Sequence, residues 1–107
     1  MELNDLLSKT KKIDEYINLN NTQITKNERV LLKAAKLPEE VWEFYNELLK
    51  SLNFARKQKW EYSKEELEKE LMDVLITTLV LANELEIDVE KQLTKKLDII
   101  FERFNLN

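Results

Sequence analysis

The chain has no glycine, no cysteine, no histidine and a single proline in 107 residues. Sheets and tight hairpins rely on Gly and Pro for their turns, whereas helical bundles do without them, so the composition predicts an all-α fold. Without cysteine there are no disulfides, thiolate nucleophiles or cysteine-ligated zinc, which fits a reducing compartment. Without histidine, Ser-His and Cys-His nucleophiles and an imidazole general base are also excluded. Any enzyme chemistry must come from carboxylates, Lys, Arg, hydroxyls and a bound metal.

The length predicts one domain over residues 1–107. With 17 Lys+Arg against 21 Asp+Glu, the net charge of −4 gives no general attraction to nucleic acid or to an anionic membrane. The N-terminal Met1-Glu2-Leu3-Asn4-Asp5 is charged and lacks a signal-peptide core. The most apolar run, Leu71 to Ala82, is shorter than the roughly 20 residues that span a bilayer. A soluble, cytoplasmic protein is the expectation.

Apolar spacing predicts helices at about residues 3–18, 26–52, 64–85 and 89–104. Thr25-Lys26-Asn27-Glu28 and Ser63-Lys64-Glu65-Glu66 have the capping-box form, and Asp88 is a natural N-cap. Pro38 lies within the stripe of the second helix, where a kink or a break is expected. The third helix is apolar nearly all round, which predicts a central position or a subunit interface.

That third helix nevertheless carries Glu70 and Asp73, three residues apart and so on neighbouring faces. Glu40 and Glu43 repeat the spacing on the second helix, with Glu39 beside them. Acid pairs on two packed helices converge on one volume, as in bundle sites for hard divalent cations. The plainer reading of Glu39, Glu40 and Glu43 is a solvated face. That of Asp73 is a salt bridge to Lys69. Glu70 has no Lys or Arg one turn away, so a tertiary partner or a cation must satisfy it.

Lys36-Leu37-Pro38-Glu39-Glu40-Val41-Trp42-Glu43, followed after 26 residues by Glu70-Leu71-Met72-Asp73-Val74-Leu75, resembles the EExxE…ExxD signature of MazG-type all-α nucleoside triphosphate pyrophosphohydrolases. The similarity covers about residues 28–104 and includes Leu81 to Glu90, Lys96 and Arg103-Phe104. It implies a four-helix MazG-like bundle, and because one four-helix protomer is not expected to cover the third helix fully, completion by oligomerisation as a homodimer or homotetramer is expected. It also implies magnesium-dependent cleavage of an NTP or dNTP to the monophosphate and pyrophosphate, with manganese as a possible substitute. On this resemblance Glu40, Glu43, Glu70 and Asp73 are catalytic and metal-binding, Glu39 is a further ligand, and Lys36, Trp42, Lys96 and Arg103 contact substrate.

Three residues depart from the family's pattern: Trp42 stands where a small residue is usual, Ile100 where Asn is common, and Pro38 lies just before the motif, where it can re-aim Glu39 and Glu40. Trp42 and Ile100 motivate an alternative in which a MazG-like bundle binds nucleotide or a protein partner without turnover. Phe54, Trp60, Phe101 and Phe104 are candidates for base stacking, with core or interface packing the stronger reading. Arg56, Lys57 and Lys59 form a basic patch that either holds a triphosphate tail or is a soluble loop.

Overall fold

The computed structural model describes residues 1–52 and 63–107. Four helices follow one another: α1 (Leu3–Leu19), α2 (Lys26–Ser51), α3 (Lys64–Glu84) and α4 (Val89–Arg103). No strand occurs among the described residues, as the scarcity of turn-forming residues predicts. Phe54, Arg56, Lys57, Lys59 and Trp60 lie outside the described residues.

The caps form largely as expected. Thr25 Oγ1 accepts from the Glu28 N–H at 3.2 Å, and Glu28 Oε1 accepts from the Thr25 N–H at 3.3 Å. Asp88 likewise accepts from the Lys91 N–H at 3.1 Å. At Ser63 only half of the predicted box forms: its hydroxyl accepts from the Glu66 N–H at 3.3 Å, while the Glu66 carboxylate meets Lys69 at 3.4 Å. The ion pair competes for the acceptor that the box requires.

α2 continues unbroken through Pro38. The ring removes one helical hydrogen bond, at a cost of about 3 kcal/mol in an isolated helix. Packing on α3 both before and after Pro38 offsets that loss. Lys33 meets Glu84, whereas Glu43 lies beside Glu70, so α2 and α3 run antiparallel.

α3 is central, with α1 and α2 both packed against it, while α4 lies along none of the other helices. The apolar residues of α3 are not enclosed on most sides. Leu79 and Val80 are the buried apolar residues of the described chain, whereas Leu71, Met72, Leu75 and Ile76 stay exposed. Among the described residues, α1 and α2 leave part of the α3 surface uncovered. No described helix is long and apolar enough to cross a membrane.

Candidate metal centre

Along the α2–α3 seam, polar residues recur every seven positions, which is close to two helical turns and keeps them on one edge. α2 contributes Lys33, Glu40 and Glu47, and α3 contributes Glu70, Thr77 and Glu84. Because the helices are antiparallel, the seam has two ends of different electrostatic character.

At the first end the charges balance. Lys33 Nζ donates to the carboxylate of Asp14 on α1, to Glu84 Oε1 at 2.9 Å and to Asn18 Oδ1 at 2.6 Å. Asn83 Nδ2 donates to the other Asp14 oxygen at 2.7 Å, and Arg29 Nε to Glu84 Oε1 at 3.1 Å. Asp14, Lys33 and Glu84 are all buried. Burial pushes the Glu84 carboxyl up, but hydrogen bonds from Lys33 and Arg29 outweigh it and hold the group below the usual glutamate range. Two cations face two carboxylates, so this end needs no further ion.

At the second end acids accumulate. Glu40 and Glu43 of α2 and Glu70 of α3 each place a carboxylate oxygen within 4.8 Å of the others. Two oxygens on opposite sides of an octahedral Mg2+ stand roughly 4 Å apart, so small side-chain rotations bring the three into ligand range. Glu40 and Glu70 are half-buried and Glu43 is exposed. Burial first, and then the charges of Glu43 and Asp73, raise both Glu40 and Glu70 above the usual value. Glu47 and Glu66 push Glu70 further in the same direction.

Glu70 Oε2 carries the clearest signal. It is buried and has no hydrogen-bond partner among the described residues. An ionised oxygen shut away from water without a donor costs several kcal/mol. Among the described residues, Lys69 pairs with Glu65 and Glu66, Lys50 with Glu47, and Lys36 with Glu39, the Lys36 charge acting also on Glu40. The pairing of Lys69 with Asp73 considered from the sequence is therefore replaced by pairing toward the helix N-terminus. Acid-before-Lys is the more favourable order. The donor set, all carboxylate oxygen with negative charge in excess, fits a hard divalent cation.

The other sequence candidates fall in different places. Asp73 is exposed, yet close enough for its charge to act on both Glu40 and Glu70. Glu39 is exposed beside Lys36 at 3.3 Å and is not one of the three clustered acids. Trp42 is 62% exposed, with its ring 5.9 Å from that of Tyr45. Lys96 and Arg103 lie on α4, which packs along neither acid-bearing helix. Sequence reasoning overlooked Glu47, although its seven-residue offset from Glu40 marks it as part of the same edge. It also overlooked Lys33, a cation set within an apolar stripe.

No protein-family model, curated protein or solved structure matches this chain.

Proposed function

We propose that Glu40, Glu43 and Glu70, with Asp73 at their edge, hold a divalent cation, and that the protein is a magnesium-dependent nucleoside triphosphate pyrophosphohydrolase. In this reading the helices form a MazG-like bundle completed by association. The observation that carries it is the buried Glu70 Oε2, which has no hydrogen-bond partner among the described residues and lies beside the clustered acids Glu40 and Glu43. The resemblance of the Glu40/Glu43 and Glu70/Asp73 motifs to MazG-type enzymes supplies the reaction class.

When bound, Mg2+ or Mn2+ would neutralise phosphate oxygens and acidify a water molecule. The residues of the chain do the rest. Glu40, Glu43 and Glu70 would hold the ion from two helices, which would restrict where the triphosphate can sit. In this reading Asp73, exposed at the edge of the cluster, accepts the proton of the attacking water and returns it to solvent. Lys36 lies one turn before Glu40 on an exposed face, where it can leave Glu39 for a phosphate oxygen. Water adds across the α–β anhydride, yielding the monophosphate and pyrophosphate.

The exposed Trp42–Tyr45 pair supports a second reading, nucleotide binding without turnover. Pyrophosphate release from a panel of NTPs and dNTPs, with and without Mg2+, separates the two. The hydrolase reading expects magnesium-dependent release that Glu70→Gln and Asp73→Asn abolish or reduce at least hundredfold. Nucleotide-induced thermal stabilisation with no release for any substrate would favour the binder.

A further inference from the structure

Three pairings, each seven residues apart on both helices, define how α2 lies on α3. Arg29 Nε meets Glu84 Oε1 at 3.1 Å, Lys36 and Thr77 line one trough, and the carboxylates of Glu43 and Glu70 cluster. Seven residues are close to two turns, so the three pairings share one edge and one antiparallel register. Glu84 lies 14 residues after Glu70, or about 21 Å along the helix axis.

Two forces along the seam select that register poorly. The clustered acids repel one another in whatever register brings them together. Apolar packing discriminates little, because Leu79 and Val80, both on α3, are the buried apolar residues of the described chain. A slip of one turn exchanges one partly covered aliphatic contact for another.

The charge-balanced end does select it. Glu84 accepts from both Lys33 and Arg29 of α2, Lys33 also reaches Asp14 and Asn18 of α1, and Asn83 of α3 donates to Asp14. Asp14, Lys33 and Glu84 are buried, so a shift of α2 by one turn would strand ionised groups away from water. Fixing a register is the best-attested role of such buried polar groups.

We infer that this network positions the cation site: Glu84, by holding Lys33 and Arg29, sets the register that brings Glu40 and Glu43 to Glu70. Glu84 is a positioning residue, acting through α2 on a site it does not touch. The helix carries the setting, since α2 is unbroken between Arg29 and Glu43. The inference rests on the cation site proposed above.

The test has two readouts, both in the full chain. Calorimetric titration with Mn2+ gives the affinity of the site. Nitroxides on Ala35→Cys and Glu68→Cys, exposed positions in a chain without other cysteines, give the α2–α3 distance without metal. Glu84→Leu leaves Lys33 with Asp14 and lets the partly exposed Arg29 turn to solvent, so no charge is stranded. It should bind Mn2+ at least tenfold more weakly than the wild type, with the label distance broadened or shifted by about 5 Å, one helical turn. Leu79→Ala removes buried packing beside α1 without touching the network, and should leave both readouts of the folded protein unchanged. If Glu84→Leu does not fold, Glu84→Gln, which keeps the side-chain volume, replaces it with at least a threefold loss of affinity expected. Unchanged affinity or unchanged distance in the Glu84 variants would overturn the positioning role and leave the cation site standing. An equal loss of affinity in Leu79→Ala would also overturn it, by reducing the effect to general stability. A wild type that binds no Mn2+ would remove the cation site itself, and the positioning role with it.

Discussion

Lys33 on α2 and Glu84 on α3 meet at 2.9 Å in a buried, charge-balanced cluster. Further along the same two helices, Glu40, Glu43 and Glu70 cluster, and among the described residues no hydrogen-bond donor reaches Glu70 Oε2. The contrast matters more than either feature alone. Among the described residues, the seam pairs its acids with Lys33 and Arg29 at one end and gathers acids at the other.

Removing one of the unneutralised acids should therefore stabilise the metal-free protein. Glu70→Gln supplies an amide donor for Glu43 or Glu40 in place of a repelling charge, a gain of about 1 kcal/mol. Urea unfolding in EDTA measures it. Adding Mg2+ should then raise the melting temperature of the wild type but not of the variant. A Glu70→Gln protein that is less stable in EDTA, or that keeps the magnesium shift, would remove Glu70 from the site.

The two ends of the seam also respond oppositely to pH. Glu40 and Glu70 titrate above the usual 4.5, so between 4.5 and their folded-state values the native protein binds more protons than the unfolded chain. Their destabilising effect is present above that window and is relieved as pH falls through it. Glu84 titrates below 4.5, so its stabilising contribution is present above 4.5 and lost as pH falls through the lowered value. Without metal, stability should rise on mild acidification from neutral pH and then fall in stronger acid. Glu70→Gln should flatten the rising limb; a monotonic decline in the wild type would contradict this assignment.

Breaking the balanced end should be severe. Lys33→Met leaves Asp14 and Glu84 buried with their shared cation gone, a loss of about 3–5 kcal/mol. Arg29 still reaches Glu84, so adding Asp14→Leu should recover part of the loss. Denaturant midpoints of the single and double variants check this, and a Lys33→Met loss below about 1 kcal/mol would show that the cluster is not electrostatically coupled.

Pro38 offers a local test of how packing overrides propensity. Because α2 continues through it, Pro38→Ala restores a missing hydrogen bond without requiring a new path for the chain. Stability should increase by about 1–3 kcal/mol. No change in the denaturant midpoint would mean that the helix is already fully relaxed around the ring.

The helices were legible because their signals are local. Thr25 and Asp88 cap through their own neighbours, and the extents of α1, α2 and α4 follow from apolar spacing and polar breaks. Glu40, Glu43 and Glu70 were legible as a cluster because spacings of three on two helices converge once the helices pack. The Lys33 network was not legible, because Asp14, Asn83 and Glu84 are distant in sequence and nothing local in their spacing pairs them with Lys33. The half-formed cap at Ser63 was misread because Lys69 competes for Glu66.

The sequence by itself determined an all-helical chain, its boundaries and the acids able to face one another, since propensity, capping and periodicity act over a few residues. Only the tertiary structure decided which acids are neutralised. That depends on which cations the antiparallel packing brings within reach: Lys33 and Arg29 arrive at Glu84, and none arrives at Glu70 Oε2 among the described residues. The tertiary structure also decided that α4 stands apart with its apolar face uncovered, because burial depends on the surfaces available to cover a helix.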